Sequence, residues 1–159
     1  YDITKEFAAL KPDDVVYDLY TGVGSIGIYV SDACKSVTGI EQIEDAIRDA
    51  KENATMNNVT NCSFYAGDVR MVLNPDFIAA NGKPSVVITD PPRAGMHPDV
   101  IEVILQAAPQ KIVYVSCNSA TQARDLALLK EKYDVVRIKP VDMFPHTQHV
   151  ENVVLLKLK

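Results

Sequence analysis

Cys117 stands where an apolar run, Lys111-Ile-Val-Tyr-Val115, gives way to a small-residue stretch that favours a helix from Ser119 onward. In open α/β sheets ligands bind in the crevice at the carboxyl ends of strands. A helix amino terminus stabilises an anion, so a cysteine at such a junction can hold its thiolate form at neutral pH. An acidic turn, Asp90-Pro-Pro-Arg93, and a late carboxylate, Glu151, are further reactive groups near expected strand ends. Pro91 and Pro92 fix φ and remove two backbone donors, which makes that turn rigid. Thiol, carboxylates and guanidinium together suit covalent chemistry. The bland readings are a small buried thiol closing a strand and a glutamate paired with a neighbour.

A second constellation follows the first apolar run. Gly22, Gly24 and Gly27 fit G-x-G-x-x-G loosely, and Glu41 lies about 20 residues further on, where a carboxylate can bind ribose hydroxyls. Asp68 follows the third run in Tyr65-Ala-Gly-Asp68. Glycine loop, ribose acid and third-strand acid resemble the layout of S-adenosylmethionine methyltransferases, and NAD-linked enzymes share the first two elements. The plainer alternatives are a tight strand-to-helix turn and, for Asp68, an N-cap over Val69 to Leu73.

The elements that must position these groups are legible as runs and periods. Val15 to Leu19, Ser36 to Ile40, Ser85 to Thr89, Ile112 to Val115, Val135 to Ile138 and Asn152 to Leu158 read as strands, with Cys62 to Tyr65 a weaker one. Most are continuously apolar, as expected of strands buried on both faces. Ile43, Ala46, Ile47, Ala50 and Ala54 have helical spacing, and Pro98 opens a helix through Val100, Ile101, Ile104 and Ala108. A third helix is expected to present Ala120, Ala123, Leu126, Ala127 and Lys130. The alternation predicts an α/β fold, a doubly wound and mostly parallel sheet of about seven strands. An antiparallel pair closes one edge, because no helix separates the last two strands.

The chain has 159 residues, 47% hydrophobic and 23% charged, which fits one soluble globular domain over 1–159 and excludes a disordered chain. No apolar run reaches the length of a membrane span. Beginning at Tyr1 rather than Met, it reads as a piece of a longer protein. Cys34, Cys62 and Cys117 are odd in number with no C-x-x-C pair, so neither a disulfide framework nor a zinc site is expected, and a reducing cytoplasm is the default. Cys34 and Cys62 read as structural. His146 and His149 stand at i, i+3 without a third metal ligand nearby, and loop packing or RNA contact suits them better. A net charge of −5 argues against nucleic acid being held by this domain alone.

Three ordered segments are far more specific. Asp90-Pro-Pro-Arg93-Ala-Gly95, Ile112-Val-Tyr-Val-Ser-Cys117-Asn-Ser-Ala-Thr121 and Asp142-Met-Phe-Pro-His-Thr-Gln-His-Val-Glu151 closely resemble the signatures of the RNA 5-methyluridine methyltransferases. That family modifies uridine C5 in tRNA or rRNA, and the resemblance runs from Asp18 to the last strand. It implies a class I catalytic domain with S-adenosyl-L-methionine as cofactor and no metal. It makes Cys117 the nucleophile and Glu151 the base, with Asp90 shaping the floor where cofactor and base meet. Tyr20, Ser25, Glu41, Asp68 and Asp90 become cofactor contacts, with Gly22 and Gly24 shaping the turn of that cofactor site. The chemistry of Arg93 leaves three substrate-positioning roles open: bonding the enolate oxygen, contacting phosphate or ordering Glu151. The implied partner is RNA presenting an unpaired or flipped uridine, with no membrane involved. The RNA grip would come mainly from an upstream β-barrel and central region, and some members hold an upstream iron–sulfur cluster. Thr21 replaces a frequent Cys that is not the nucleophile, and Ser119 replaces a usual Pro at a position where Ser also starts helices. An exocyclic-amine methyltransferase, in which an Asp-Pro-Pro turn orients the amine, and a silent cofactor-binding module are the competing readings.

Overall fold

The computed structural model describes every residue except Phe144, Gln148 and His149. Seven strands form one sheet: β1 (Val15–Leu19), β2 (Ser36–Glu41), β3 (Cys62–Ala66), β4 (Val86–Thr89), β5 (Lys111–Ser116), β6 (Tyr133–Val141) and β7 (Glu151–Leu158). Their order is β3-β2-β1-β4-β5-β7-β6, with β1 to β5 parallel and β7 antiparallel to both its neighbours. The expected antiparallel edge pair is present, and β7 slots between β5 and β6. Strand order reverses between β1 and β4, which opens a crevice at their carboxyl ends.

Alternate residues of the central strands feed two cores. Tyr17, Val87, Ile112 and Tyr114 face one, with Val154 and Leu156, against α6 (Pro98–Ala107) and α7 (Ser119–Leu129). Val16, Val86, Ile88 and Val113 face the other, with Phe7 and Ala8 of α1 (Asp2–Ala8) and Ile26 and Val30 of α2 (Ser25–Val30). Burial on both faces explains the unbroken apolar runs. α3 (Glu44–Met56) buries Ile47, Ala50 and Ala54. α4 (Val69–Val72) and α5 (Pro75–Asn81) complete the helices.

Several expectations need correction. The Val135 to Ile138 strand spans Tyr133–Val141, is mostly exposed, and carries a register shift between Val135 and Arg137. Hairpin pairing with β7, rather than a buried apolar run, extends it. α1 and α5 carried no strong periodic signal; α5 is set by local chemistry, since Asn74 accepts from the Phe77 amide and Pro75 occupies the first turn. On α7, Ala120, Ala123, Ala127 and Lys130 are exposed, and the buried residues are Gln122, Asp125 and Leu129. Two polar side chains tolerate that burial because each is hydrogen-bonded. Among the described residues no helix is long and apolar enough to cross a membrane.

Candidate active site

After β1 the chain turns sharply, with Tyr20, Gly22 and Gly24 at φ values of 63°, 56° and 80°. Gly24 is tightly enclosed: a Cβ there would lie 3.0 Å from Phe64 Cζ and 3.1 Å from Ala50 Cβ, so those neighbours would have to give way. Asp18, at the end of β1, ties the turn together. Its Oδ2 accepts from Thr21 Oγ1 at 2.5 Å and from the Gly27 amide at 3.0 Å. Burial pushes this carboxyl up to about 7 against the opposing pull of those two bonds.

Glu41 closes β2 and reaches back across the turn. Its Oε2 accepts from the Gly22 amide at 3.2 Å and its Oε1 from the Ile43 amide at 3.0 Å, leaving lone pairs on both oxygens. Tyr20, Glu41, Ile43, Asp68, Asp90 and Pro92 line a cavity of about 300 Å³. Asp68 does cap α4, accepting from the Arg70 amide at 2.9 Å, and it also lines this cavity. Two carboxylates that can accept from sugar hydroxyls, beside the exposed side chain of Ile43, form a lining that fits a nucleoside. Ser25 is not brought there. It begins α2 and lines a different hollow with Val23 and Tyr29.

Cys117 is half-buried, one residue before the Asn118 cap of α7. With Arg93, Asn118, Pro140, Val150 and Asn152 it lines an open cavity of about 630 Å³. The Arg93 carbonyl is held from α7 by Asn118 Nδ2 at 3.1 Å and Thr121 Oγ1 at 3.0 Å. Asn118 Oδ1 meanwhile accepts from the Ala120 amide at 3.1 Å. Deeper in, Asp125 fixes the same turn. Its Oδ2 accepts from the Met96 amide at 2.8 Å and from Tyr114 Oη at 2.6 Å, while Arg124 pairs with Oδ1 and donates to the Ala94 carbonyl at 2.9 Å.

Glu151 opens β7. The last pair of the β5–β7 ladder is Ser116 with Asn152, so Cys117 and Glu151 are the next residues beyond it on the two chains. Glu151 and Asp90 line a pocket of about 230 Å³ with Val115, Val141 and Met143. Asp90 therefore borders both this pocket and the one holding Glu41 and Asp68. Its residue surface is open to solvent, yet the crevice walls crowd its carboxyl, and this desolvation, with Glu151 second, pushes it up to about 6. Among the described residues neither Arg93 nor Glu151 enters an ion pair.

Cys34 and Cys62 are unpaired thiols, and burial pushes them up to about 11 and about 12. His149 lies outside the described residues; among those described, no cluster of three His, Cys, Asp or Glu could hold a metal. Asp18, Gln122 and Asp125 were not singled out from the sequence as organisers of the site. Asp18 alone offers a signal, a polar residue inside the continuously apolar run Val15 to Leu19; Gln122 and Asp125 offer none in the local sequence.

Sheet order, switch-point crevice and glycine turn define a class I, Rossmann-like methyltransferase fold. A dimethyladenosine transferase from Plasmodium falciparum shares it at TM-score 0.79 over 99% of this chain and 60% of its own, with 18% identity. The family is specific: residues 4–159 match the tRNA (uracil-5-)-methyltransferase model, and the chain belongs to that family. An uncharacterized RNA methyltransferase of Bacteroides thetaiotaomicron is 59% identical over 159 residues, all of this chain and 35% of that protein. The tRNA (uracil-54, C5)-methyltransferase of Pyrococcus abyssi, solved with S-adenosyl-L-homocysteine, superposes at TM-score 0.83 with 37% identity, over 98% of this chain and 37% of its own. The chain spans about a third of the length of these relatives.

Proposed function

We propose that this chain is the catalytic portion of an S-adenosyl-L-methionine-dependent RNA methyltransferase that modifies uridine C5 through a covalent cysteine adduct. What supports the reading is that Cys117 and Glu151 each stand one residue beyond Ser116–Asn152, the terminal pair of the β5–β7 ladder, and that Glu151 shares a pocket with Asp90, which also lines the nucleoside-sized cavity.

Uracil C5 is a weak nucleophile. Addition of the Cys117 thiolate to C6 forms an S–C6 bond and moves the ring's π electrons toward C5 and the adjoining carbonyl, giving an enolate. Arg93 lines the same cavity as Cys117, and its permanent positive charge would stabilise that developing oxyanion. When bound, the cofactor would supply its sulfonium methyl to C5, the S–CH3 bond breaking and the neutral thioether leaving; Glu41 and Asp68 would hold its ribose and adenosine end, with Asp90 toward the uridine. Glu151 then removes the C5 proton, the C5–C6 double bond re-forms, and the thiolate leaves. The uridine must be unpaired or flipped, since C6 of a stacked base is closed to a thiol. The chain's net charge of −5 supports an RNA grip supplied mainly by regions that the longer relatives possess.

The test uses the full-length protein and RNA carrying 5-fluorouridine. Fluorine cannot leave as a proton, so wild type with S-adenosyl-L-methionine should form a denaturation-resistant protein–RNA adduct, and Cys117→Ala should form none. Methylation of ordinary RNA by Cys117→Ala at the wild-type rate would sink the reading.

A further inference from the structure

We propose that Gln122 is a positioning residue that sets Cys117 and Glu151 in register, an inference that rests on the roles given to those two residues above. Gln122 projects from the second turn of α7 and is 1% exposed. Its Nε2 donates to the Tyr114 carbonyl on β5 at 3.0 Å and to the Asn152 carbonyl on β7 at 3.2 Å. Its Oε1 accepts from Asn152 Nδ2 at 2.6 Å. Both amide protons are thus used, and one side chain staples together the helix behind Cys117, the strand before it and the residue that follows Glu151.

The staple sits where the sheet itself stops providing order. Ser116–Asn152 is the terminal pair of the β5–β7 ladder, and ladder ends open more readily than centres. Cys117 and Glu151 both lie one step past it. Without Gln122, the backbone pairings near Glu151 include Ser116–Asn152 on β5 and Val141–Glu151 on β6, an exposed strand with a register shift. A leucine of similar size would fill the space and make none of the three bonds. Reacting groups misplaced by about 1 Å can lose on the order of a hundredfold in rate. Attack by Cys117 needs only the ring; removal of the C5 proton needs Glu151 at a fixed distance from a base already tethered to Cys117. The proton-removal step should therefore suffer more.

In the full-length protein, Gln122→Leu and Asn152→Ser should each lower kcat about tenfold or more on unmodified RNA while KM for S-adenosyl-L-methionine stays within about twofold. Methylated covalent protein–RNA complex should accumulate, and the double variant should be no slower than the worse single one, as for two halves of one contact. Asn152→Ser keeps the backbone bonds of Gln122 and serves if Gln122→Leu does not fold. Wild-type kcat in both variants, or additive losses without accumulated complex, would overturn the proposal. Cys117→Ala and Glu151→Gln run alongside. Their inactivity with unimpaired Gln122→Leu rejects the staple alone, whereas full turnover by Cys117→Ala rejects the covalent reading beneath it.

Discussion

A β-carbon on Gly95 would stand 2.6 Å from Oδ2 of Asp125. The turn that presents Asp90 and Arg93 is pressed onto α7 so closely that only glycine fits, and Gly95 also sits at φ 78°. Asp125 cannot retreat, because the same oxygen holds the Met96 amide and Tyr114 Oη. Gly95→Ala should destabilise the protein by about 2 kcal/mol or more, through backbone strain and overpacking together. For a chain of this size that lowers the melting temperature by several degrees, roughly 2–4 °C per kcal/mol. An unchanged melting curve would mean the turn is looser than its contacts imply.

Asp18 predicts a pH signature of stability. Its folded value of about 7 lies above the ordinary 3.8, so between about pH 4 and pH 7 the folded state holds a proton that the unfolded state has released. Stability from this group is then full below about pH 4, falls as pH rises, and levels off above about pH 7. Both of its hydrogen bonds arrive at one oxygen, which an asparagine carbonyl can supply. Asp18→Asn should flatten the slope of unfolding free energy between pH 4 and 7, as read by urea titrations across that range.

Glu151→Gln keeps the shape of the pocket and removes the base. Adduct formation and methylation should persist while release stalls, so a methylated protein–RNA complex should survive denaturing electrophoresis, with turnover reduced about 10²-fold or more. Turnover at the wild-type rate would assign proton removal to another group, with Asp90, across the same pocket, the first to test.

Glu41→Ala deletes the acceptor for the Gly22 and Ile43 amides as well as the expected partner of ribose hydroxyls. Binding of S-adenosyl-L-homocysteine, followed by calorimetry, should weaken about ten- to a hundredfold, the range for a hydrogen bond to a charged group. Ser25→Ala should bind within about twofold of wild type, since Ser25 lines a separate hollow.

The central sheet was legible because doubly buried strands announce themselves as continuous apolar runs, and the run beside Cys117 matches β5 closely. β6 was foreseen too short: an exposed edge strand has no reason to be apolar, and its limits come from β7. The buried face of α7 was misread for the opposite reason. Gln122 and Asp125 look like surface residues until their partners Asn152, Tyr114 and Met96, distant in sequence, are brought beside them. Reactive groups could be named from their motifs, whereas their supports depend on tertiary contacts that no local window contains.

The carboxylate-lined cavity is walled entirely by residues up to Pro92, and the thiol-bearing one by Arg93 and residues beyond it. A single peptide bond is the frontier between two territories of the chain, and the parallel pairing of β4 with β5 welds them into one slab. With both faces of that slab packed, the spacing across the frontier is a fixed dimension of the scaffold. The distance between the two hollows is thus set before anything occupies either.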